Sequence, residues 1–270
     1  MLLFPVPKRS VLKSAAEYVA VVLLKLIIIT GRPPRFKPKV ELEAMGDLDA
    51  VFFCTPSGEA MKDVKKYLDK GVKVVDLSAD FRFKNANRYE QVYGRKHVCP
   101  ELLEEAVYGI TEFNREKIKG ARLIANPGCY VITTMLGLAP LIENKVIQLS
   151  NIPINAINGT TGGKGILHTD AYGNVMPYNM EGHRHSSELE EQIGIIAGED
   201  KEPMVNFSTA HRPFDRGIYS VTSPLVREDF KSWNREKFLE LFKEFYKNEY
   251  FVRINDFTKI KSGKIGRAHV

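Results

Sequence analysis

Leu48-Asp49-Ala50-Val51-Phe52-Phe53-Cys54-Thr55-Pro56-Ser57-Gly58 runs from a short apolar stretch into a Pro/Gly turn. That change of character decides the fold class. The first part has strand length and a β-branched, aromatic centre, and Thr-Pro-Ser-Gly is turn chemistry. Across residues 59–70, Met61, Val64 and Leu68 recur at helical spacing, and Gly71 closes the helix. Val72-Lys73-Val74-Val75-Asp76-Leu77 then reads as a second strand. Strand, helix and strand in succession form a βαβ unit, which predicts an α/β fold with a parallel sheet.

The flanking sequence extends this pattern. Residues 121–125 read as a further strand ending at Asn126-Pro127-Gly128, and residues 131–143 as the helix that follows. Beyond it, residues 152–157, 205–208 and 218–226 read as strands. Residues 186–197 read as a helix with Ser186 as its cap and Glu188 as a dipole partner. Residues 229–248 read as an amphipathic helix carrying Phe230, Phe238, Leu241, Phe242 and Phe245. Upstream, residues 18–29 are strongly apolar and follow Lys8, Arg9 and Lys13, as in a signal peptide. Lys25 interrupts the run, no small-x-small site follows and Pro33-Pro34 comes next, so a buried helix is predicted there. A boundary near residue 128 divides the chain into domains at 1–128 and 129–270.

The bulk numbers narrow the function. With 270 residues the chain can form one large or two modest cores. It carries 39 Lys and Arg against 33 Asp and Glu, a formal charge of +6. The basic residues are dispersed, which favours a small anionic ligand and argues against nucleic acid. Cys54, Cys99 and Cys129 are too few and too irregularly spaced for a disulfide framework or a zinc site. No metal and no membrane association are expected, and three thiols suit the reducing cytoplasm.

Cys129 sits between a predicted strand and a predicted helix, after Pro127-Gly128. A thiol at a helix N-terminus faces the positive end of the dipole, which favours thiolate, and the nearby amides can stabilise an oxyanion. The alternative is a small buried residue, the commonest state of a cysteine outside a disulfide. Cys54 and Cys99 read as structural. His183-Arg184-His185 offers two imidazoles and a guanidinium at a helix mouth, either a proton donor with an anion clamp or an exposed polar turn. His211-Arg212 and Arg216 are further cations suited to a carboxylate or phosphate. The glycine-rich segment 159–165 permits close approach to a ligand, or is a flexible turn.

Several motifs occur together in order. They are Val74-Val75-Asp76-Leu77-Ser78-Ala79-Asp80-Phe81-Arg82, Tyr108-Gly109-Ile110-Thr111-Glu112, Ala125-Asn126-Pro127-Gly128-Cys129-Tyr130, Gly182-His183-Arg184-His185-Ser186-Ser187-Glu188 and Arg216-Gly217-Ile218. From about residue 48 to about residue 226 the chain resembles the N-acetyl-gamma-glutamyl-phosphate reductase family. The resemblance implies a Rossmann-like dinucleotide-binding domain followed by an α+β catalytic and dimerisation domain of the glyceraldehyde-3-phosphate dehydrogenase-like type. It implies NADPH-dependent reductive dephosphorylation of an acyl phosphate, N-acetyl-glutamyl 5-phosphate in arginine biosynthesis, through a Cys129 thioester. His185, or else His183, moves the proton. Arg82, Arg184, Arg216 and Asn126 hold substrate. Thr55, Pro56, Ser57, Gly58, Ser78, Gly159, Gly162 and Gly163 line the NADP site. The protein is expected to form a homodimer or homotetramer. Aminoadipyl-phosphate reduction in lysine biosynthesis, with an acidic amino-group carrier protein as partner, is the near alternative. A cysteine–histidine hydrolase without nucleotide is a more distant one.

The chain also departs from the family pattern. No glycine precedes Gly31, and Glu17, Ala20 and Val21 stand where the cofactor loop is expected to carry glycines. Side chains there are expected to obstruct a pyrophosphate. The segment 30–46 is short, and the family's C-terminal return helix is expected to be missing beyond Val270. These departures support a further alternative, an inactive homologue kept as a binding partner.

Overall fold

The computed structural model describes residues 26–30, 48–160, 173–180, 182–198, 203–214 and 217–255. The chain divides into two compact units, Met1–Pro127 and Gly128–Val270.

The first unit is built on a five-stranded, wholly parallel sheet. Its strands are β1 (Leu26–Thr30), β2 (Ala50–Cys54), β3 (Lys73–Asp76), β4 (Val107–Tyr108) and β5 (Leu123–Ala125), in the order β1-β2-β3-β5-β4. The 26–30 segment corrects the expected helix. Ile27-Ile28-Ile29 is a β-branched run that pairs in register with Val51-Phe52-Phe53. The remainder of that apolar segment lies outside the described residues. Helix α1 (Ala60–Leu68) follows β2 as predicted and buries Met61, Val64, Tyr67 and Leu68. These side chains join Val51, Phe53, Val74 and Leu123 of the sheet in one core. Two further helices, α2 (Ala86–Tyr93) and α3 (Thr111–Gly120), were not visible in the apolar pattern. The start of α2 is set by Asn85, whose side chain accepts from the amides of Asn87 and Arg88, and Gly94 at φ 66° closes it.

The second unit opens with α4 (Cys129–Glu143), which begins two residues earlier than the sequence suggests. Its sheet comprises β6 (Ile152–Gly159), β7 (Met176–Tyr178), β8 (Val205–Arg212) and β9 (Ile218–Thr222), in the order β7-β8-β6-β9. Strands β6 and β8 are parallel, and β7 and β9 run antiparallel to their neighbours. One face of β6 carries Ile152, Ile154 and Ala156 into the core. Helix α5 (Arg184–Ala197) is capped by His183, not Ser186. Helix α6 (Arg235–Phe245) is shorter than expected because Asn234 caps it, accepting from the Lys237 amide. No helix among the described residues is long and apolar enough to cross a membrane.

Candidate active site

Cys129 is exposed at the first position of α4, which sets aside the buried-residue alternative. Its position follows from the residue before it. Gly128 has ordinary extended geometry at φ −63° and ψ 143°, so conformational freedom is not what requires glycine. Space is what requires it. A Cβ at 128 would stand 2.7 Å from His185 Nε2 and 2.9 Å from Glu188 Oε2. The Gly128 amide donates to Glu188 Oε1 at 2.9 Å. Glu188 is fully buried, and its other oxygen faces His185 Nε2 at 3.9 Å. The start of the cysteine helix is thus clamped against an imidazole–carboxylate pair from α5.

The two histidines of the triplet are both buried, so the exposed-turn alternative also falls. Their roles differ. His183 Nδ1 accepts from the His185 amide at 3.1 Å, which places the remaining ring proton on Nε2. Burial, with Arg184 adding to it, pushes the His183 pKa down to about 4. His183 is therefore a neutral helix cap at physiological pH, and His185 is the histidine that faces a carboxylate. Arg184 is exposed between them.

A ring cluster closes around these groups. Tyr130, next to the thiol, packs edge-on against His183, His185 and Phe207, with centroids 5.5, 5.8 and 5.4 Å away. Its hydroxyl meets that of Tyr178 at 2.6 Å. Burial, foremost, raises the pKa of both phenols above the ordinary range. Sequence reasoning missed Tyr178, and it read Glu188 only as a helix-dipole residue. The spacing of Glu188 from His185, one helical turn, was the available signal.

The other expected site residues are placed as follows. In the first unit, Arg82 donates through Nε to the Asn126 carbonyl at 2.9 Å and through Nη2 to the Leu77 carbonyl at 3.3 Å. It thereby braces the segment that leads into Cys129. Asn126 itself is exposed. Thr55, Pro56, Ser57 and Gly58 form the turn at the C-terminal end of β2, and Ser78 follows β3. Open parallel sheets take ligands along this edge. Thr55 Oγ1 is buried there with no hydrogen-bond partner among the described residues. Two of the expected contacts serve the protein's own carboxylates. The Gly58 amide donates to Asp80 Oδ1 at 2.6 Å, and the Ser78 hydroxyl donates to Asp76 Oδ2 at 2.8 Å. Gly159 ends β6, with its amide bonded to the Gly217 carbonyl at 3.2 Å. Gly162, Gly163 and Arg216 lie outside the described residues.

Residues 16–121 match the model of the semialdehyde dehydrogenase NAD binding domain. Residues 129–266 match that of the semialdehyde dehydrogenase dimerisation domain. An N-acetyl-gamma-glutamyl-phosphate reductase of Caldicellulosiruptor saccharolyticus is 38% identical over 243 residues, covering 85% of this chain and 69% of that protein. One from Acinetobacter baumannii is 39% identical over 224 residues, covering 80% of this chain and 63% of its own length. The chain thus spans about two-thirds of the length of the curated relatives it matches. A crystal structure of aspartate semialdehyde dehydrogenase with NADP from Candida albicans shares the fold at a TM-score of 0.54 and 15% identity, covering 81% of this chain and 63% of that one. The chain belongs to the N-acetyl-gamma-glutamyl-phosphate reductase family, within the semialdehyde dehydrogenases.

Proposed function

We propose that the chain catalyses NADPH-dependent reduction of an acyl phosphate, N-acetyl-glutamyl 5-phosphate, to its semialdehyde. The observation that carries this reading is the clamp at Gly128, which ties the Cys129 helix start to the His185–Glu188 pair. The Cys129 thiolate attacks the acyl carbon, the carbon–oxygen bond to phosphate breaks, and a thioester remains on the sulfur. Amides at the start of α4 stabilise the oxyanion of that addition. The cofactor fits what the first unit offers: a parallel sheet edge with the Thr55–Gly58 turn, Ser78 and an unsatisfied Thr55 hydroxyl. Thr55, Ser57 and Ser78 would hold it, and when bound it supplies hydride to the thioester. His185, kept in place by Glu188, holds the proton that the departing oxygen or the new carbonyl exchanges. Arg82, Arg184 and Arg216 supply positive charge for the phosphate and carboxylate.

The test is the reverse reaction. N-acetylglutamate semialdehyde, phosphate and NADP+ should yield NADPH absorbance with the wild type and none with Cys129→Ser. Absence of turnover in the wild type, together with absence of a Cys129 thioester by intact mass, refutes the reading.

The chain is also read as pairing with a second copy through the open face of the second sheet. Tyr219 and Val221 of β9 are exposed side by side on that face, and the matching family model is named for dimerisation. Sedimentation should show a dimer that Val221→Arg converts to monomer.

A further inference from the structure

Tyr130 and Tyr178 tie the start of α4 to β7 through one hydrogen bond, with their hydroxyl oxygens 2.6 Å apart. Two phenols carry two protons, and a single bond uses only one of them. Burial decides which one is left over. Tyr130 is 2% exposed, and its hydroxyl has no partner other than Tyr178 among the described residues. A buried O–H without an acceptor is costly, so Tyr130 donates and Tyr178 accepts. Tyr178 is only half-buried, and its own proton is free to reach a ligand on the open side of the pair.

The Tyr178 side chain is also held in place. Its ring lies flat on His211, with centroids 4.0 Å apart and planes 8° from parallel. Its backbone carbonyl accepts from Thr209 Oγ1 at 2.7 Å, across the register of β7 with β8. The ring stands 5.8 Å from that of His183, the cap of α5, and the next residue is the exposed Arg184. Burial, foremost, raises the Tyr178 pKa, and the positive charge of Arg184 is among the influences that oppose the rise. Accepting from Tyr130 makes the remaining Tyr178 proton a stronger donor, because linked hydrogen bonds polarise one another. A fixed, neutral O–H donor by the helix start that carries Arg184 suits an oxygen that only accepts and bears negative charge.

We propose that the Tyr178 hydroxyl donates a hydrogen bond to an anionic oxygen of the acyl-phosphate substrate. The proposal rests on the reductase reading and adds a contact to it. The oxygen belongs to the phosphoryl group or to the substrate's carboxylate, and separate probes tell these apart.

Calorimetric titration of the full chain with inorganic phosphate and with N-acetyl-L-glutamine, which carries one carboxylate, tests this. Tyr178→Phe should weaken at least one of the two by about tenfold or more. Loss confined to phosphate assigns the phosphoryl group, loss confined to N-acetyl-L-glutamine assigns the carboxylate, and loss of both assigns a contact open to either. Tyr130→Phe breaks the same bond between the phenols but leaves the Tyr178 proton, so it should weaken each probe by no more than about threefold. The double variant Tyr130→Phe/Tyr178→Phe strands no buried hydroxyl, and it should repeat the Tyr178→Phe loss even if that single variant fails to fold. A wild type that binds neither probe, unchanged affinity without the Tyr178 hydroxyl, or equal losses in the two single variants overturns the proposal. Intact-mass detection of Cys129 acylation by N-acetyl-L-glutamyl phosphate separates the two readings. The expected probe losses without acylation of the wild type sink the reductase reading and keep the anion contact. Acylation of the wild type with no probe loss in Tyr178→Phe does the reverse.

Discussion

Gly128→Ala isolates the clamp that the functional reading depends on. The backbone at 128 lies in a region open to any residue, so alanine introduces no conformational strain. Taken alone, the change would stabilise by about 0.4–1 kcal/mol through the unfolded chain. The added methyl reverses that sign. Its contact with His185 Nε2 is 2.7 Å and with Glu188 Oε2 is 2.9 Å, so the ring and carboxylate must retreat by about half an ångström or more for ordinary contact. Both groups are buried, and overpacking of this kind costs about 1–3 kcal/mol. The retreat also stretches the bond from the Gly128 amide to Glu188, a charge-assisted interaction whose weakening adds about 1 kcal/mol. The expected net loss is about 2–3 kcal/mol. Because Cys129 moves with the start of α4, its alkylation by iodoacetamide at pH 7 should slow by about tenfold or more. Denaturant unfolding and thiol-modification rates measure the two effects. A Gly128→Ala protein with wild-type values of both would show that nothing presses on this glycine, and the clamp argument would be wrong.

Three further outcomes are expected. Glu188→Gln keeps an acceptor for the Gly128 amide but removes the charge facing His185, so turnover should fall about 10- to 100-fold while denaturant stability moves by less than about 1 kcal/mol. Lys84 donates to the carbonyls of Leu103, Glu104 and Ala106 at 3.2, 2.7 and 2.7 Å, so Lys84→Met should cost the first unit roughly 2 kcal/mol in urea unfolding. The two units should respond oppositely to acid. His183 is held down to about 4, so its contribution is present above pH 6.5 and is lost as pH falls toward 4. His183→Asn keeps a capping acceptor and should flatten that limb in thermal melts. Burial, with Asp80 adding to it, raises Asp76 to about 7, so its contribution is present at acid pH and is lost as pH rises through 7. Asp76→Asn should flatten that trend.

The βαβ unit was legible because its apolar residues switch period at a Pro/Gly turn, and α1 buries the residues that the spacing named. The helix-start position of Cys129 was legible because a strand, Pro-Gly and an apolar helix meet at that residue. What stayed hidden was nonlocal or ambiguous. A continuous apolar run does not distinguish a buried helix from a parallel strand, so 26–30 was misread. Glu188 lies 60 residues from the amide it accepts, so no local pattern links them. Histidine ranks below Ser, Thr, Asn and Asp as a helix cap, so Ser186 drew the assignment that belongs to His183.

The helix starts set the position of Cys129 apart. Every helix presents unsatisfied amides and a partial positive charge at its N-terminus, and folding must answer them. At α1 the protein answers with its own anion: Asp80 accepts from Gly58 at 2.6 Å and Met61 at 3.1 Å, and from the Tyr89 hydroxyl at 2.9 Å. At α5 the answer is a neutral imidazole, His183. At α4 the cap is glycine, which has no side chain to offer, and its own amide is committed to Glu188. The first side chain that meets that field is Cys129, exposed at the first helical position. The carboxylate that forbids a side chain at 128 is thus the same one that steadies the imidazole and leaves the helix end to the sulfur. Replacing Asp80 by asparagine should therefore weaken α1 without changing the rate at which Cys129 is alkylated, whereas replacing Glu188 should change that rate.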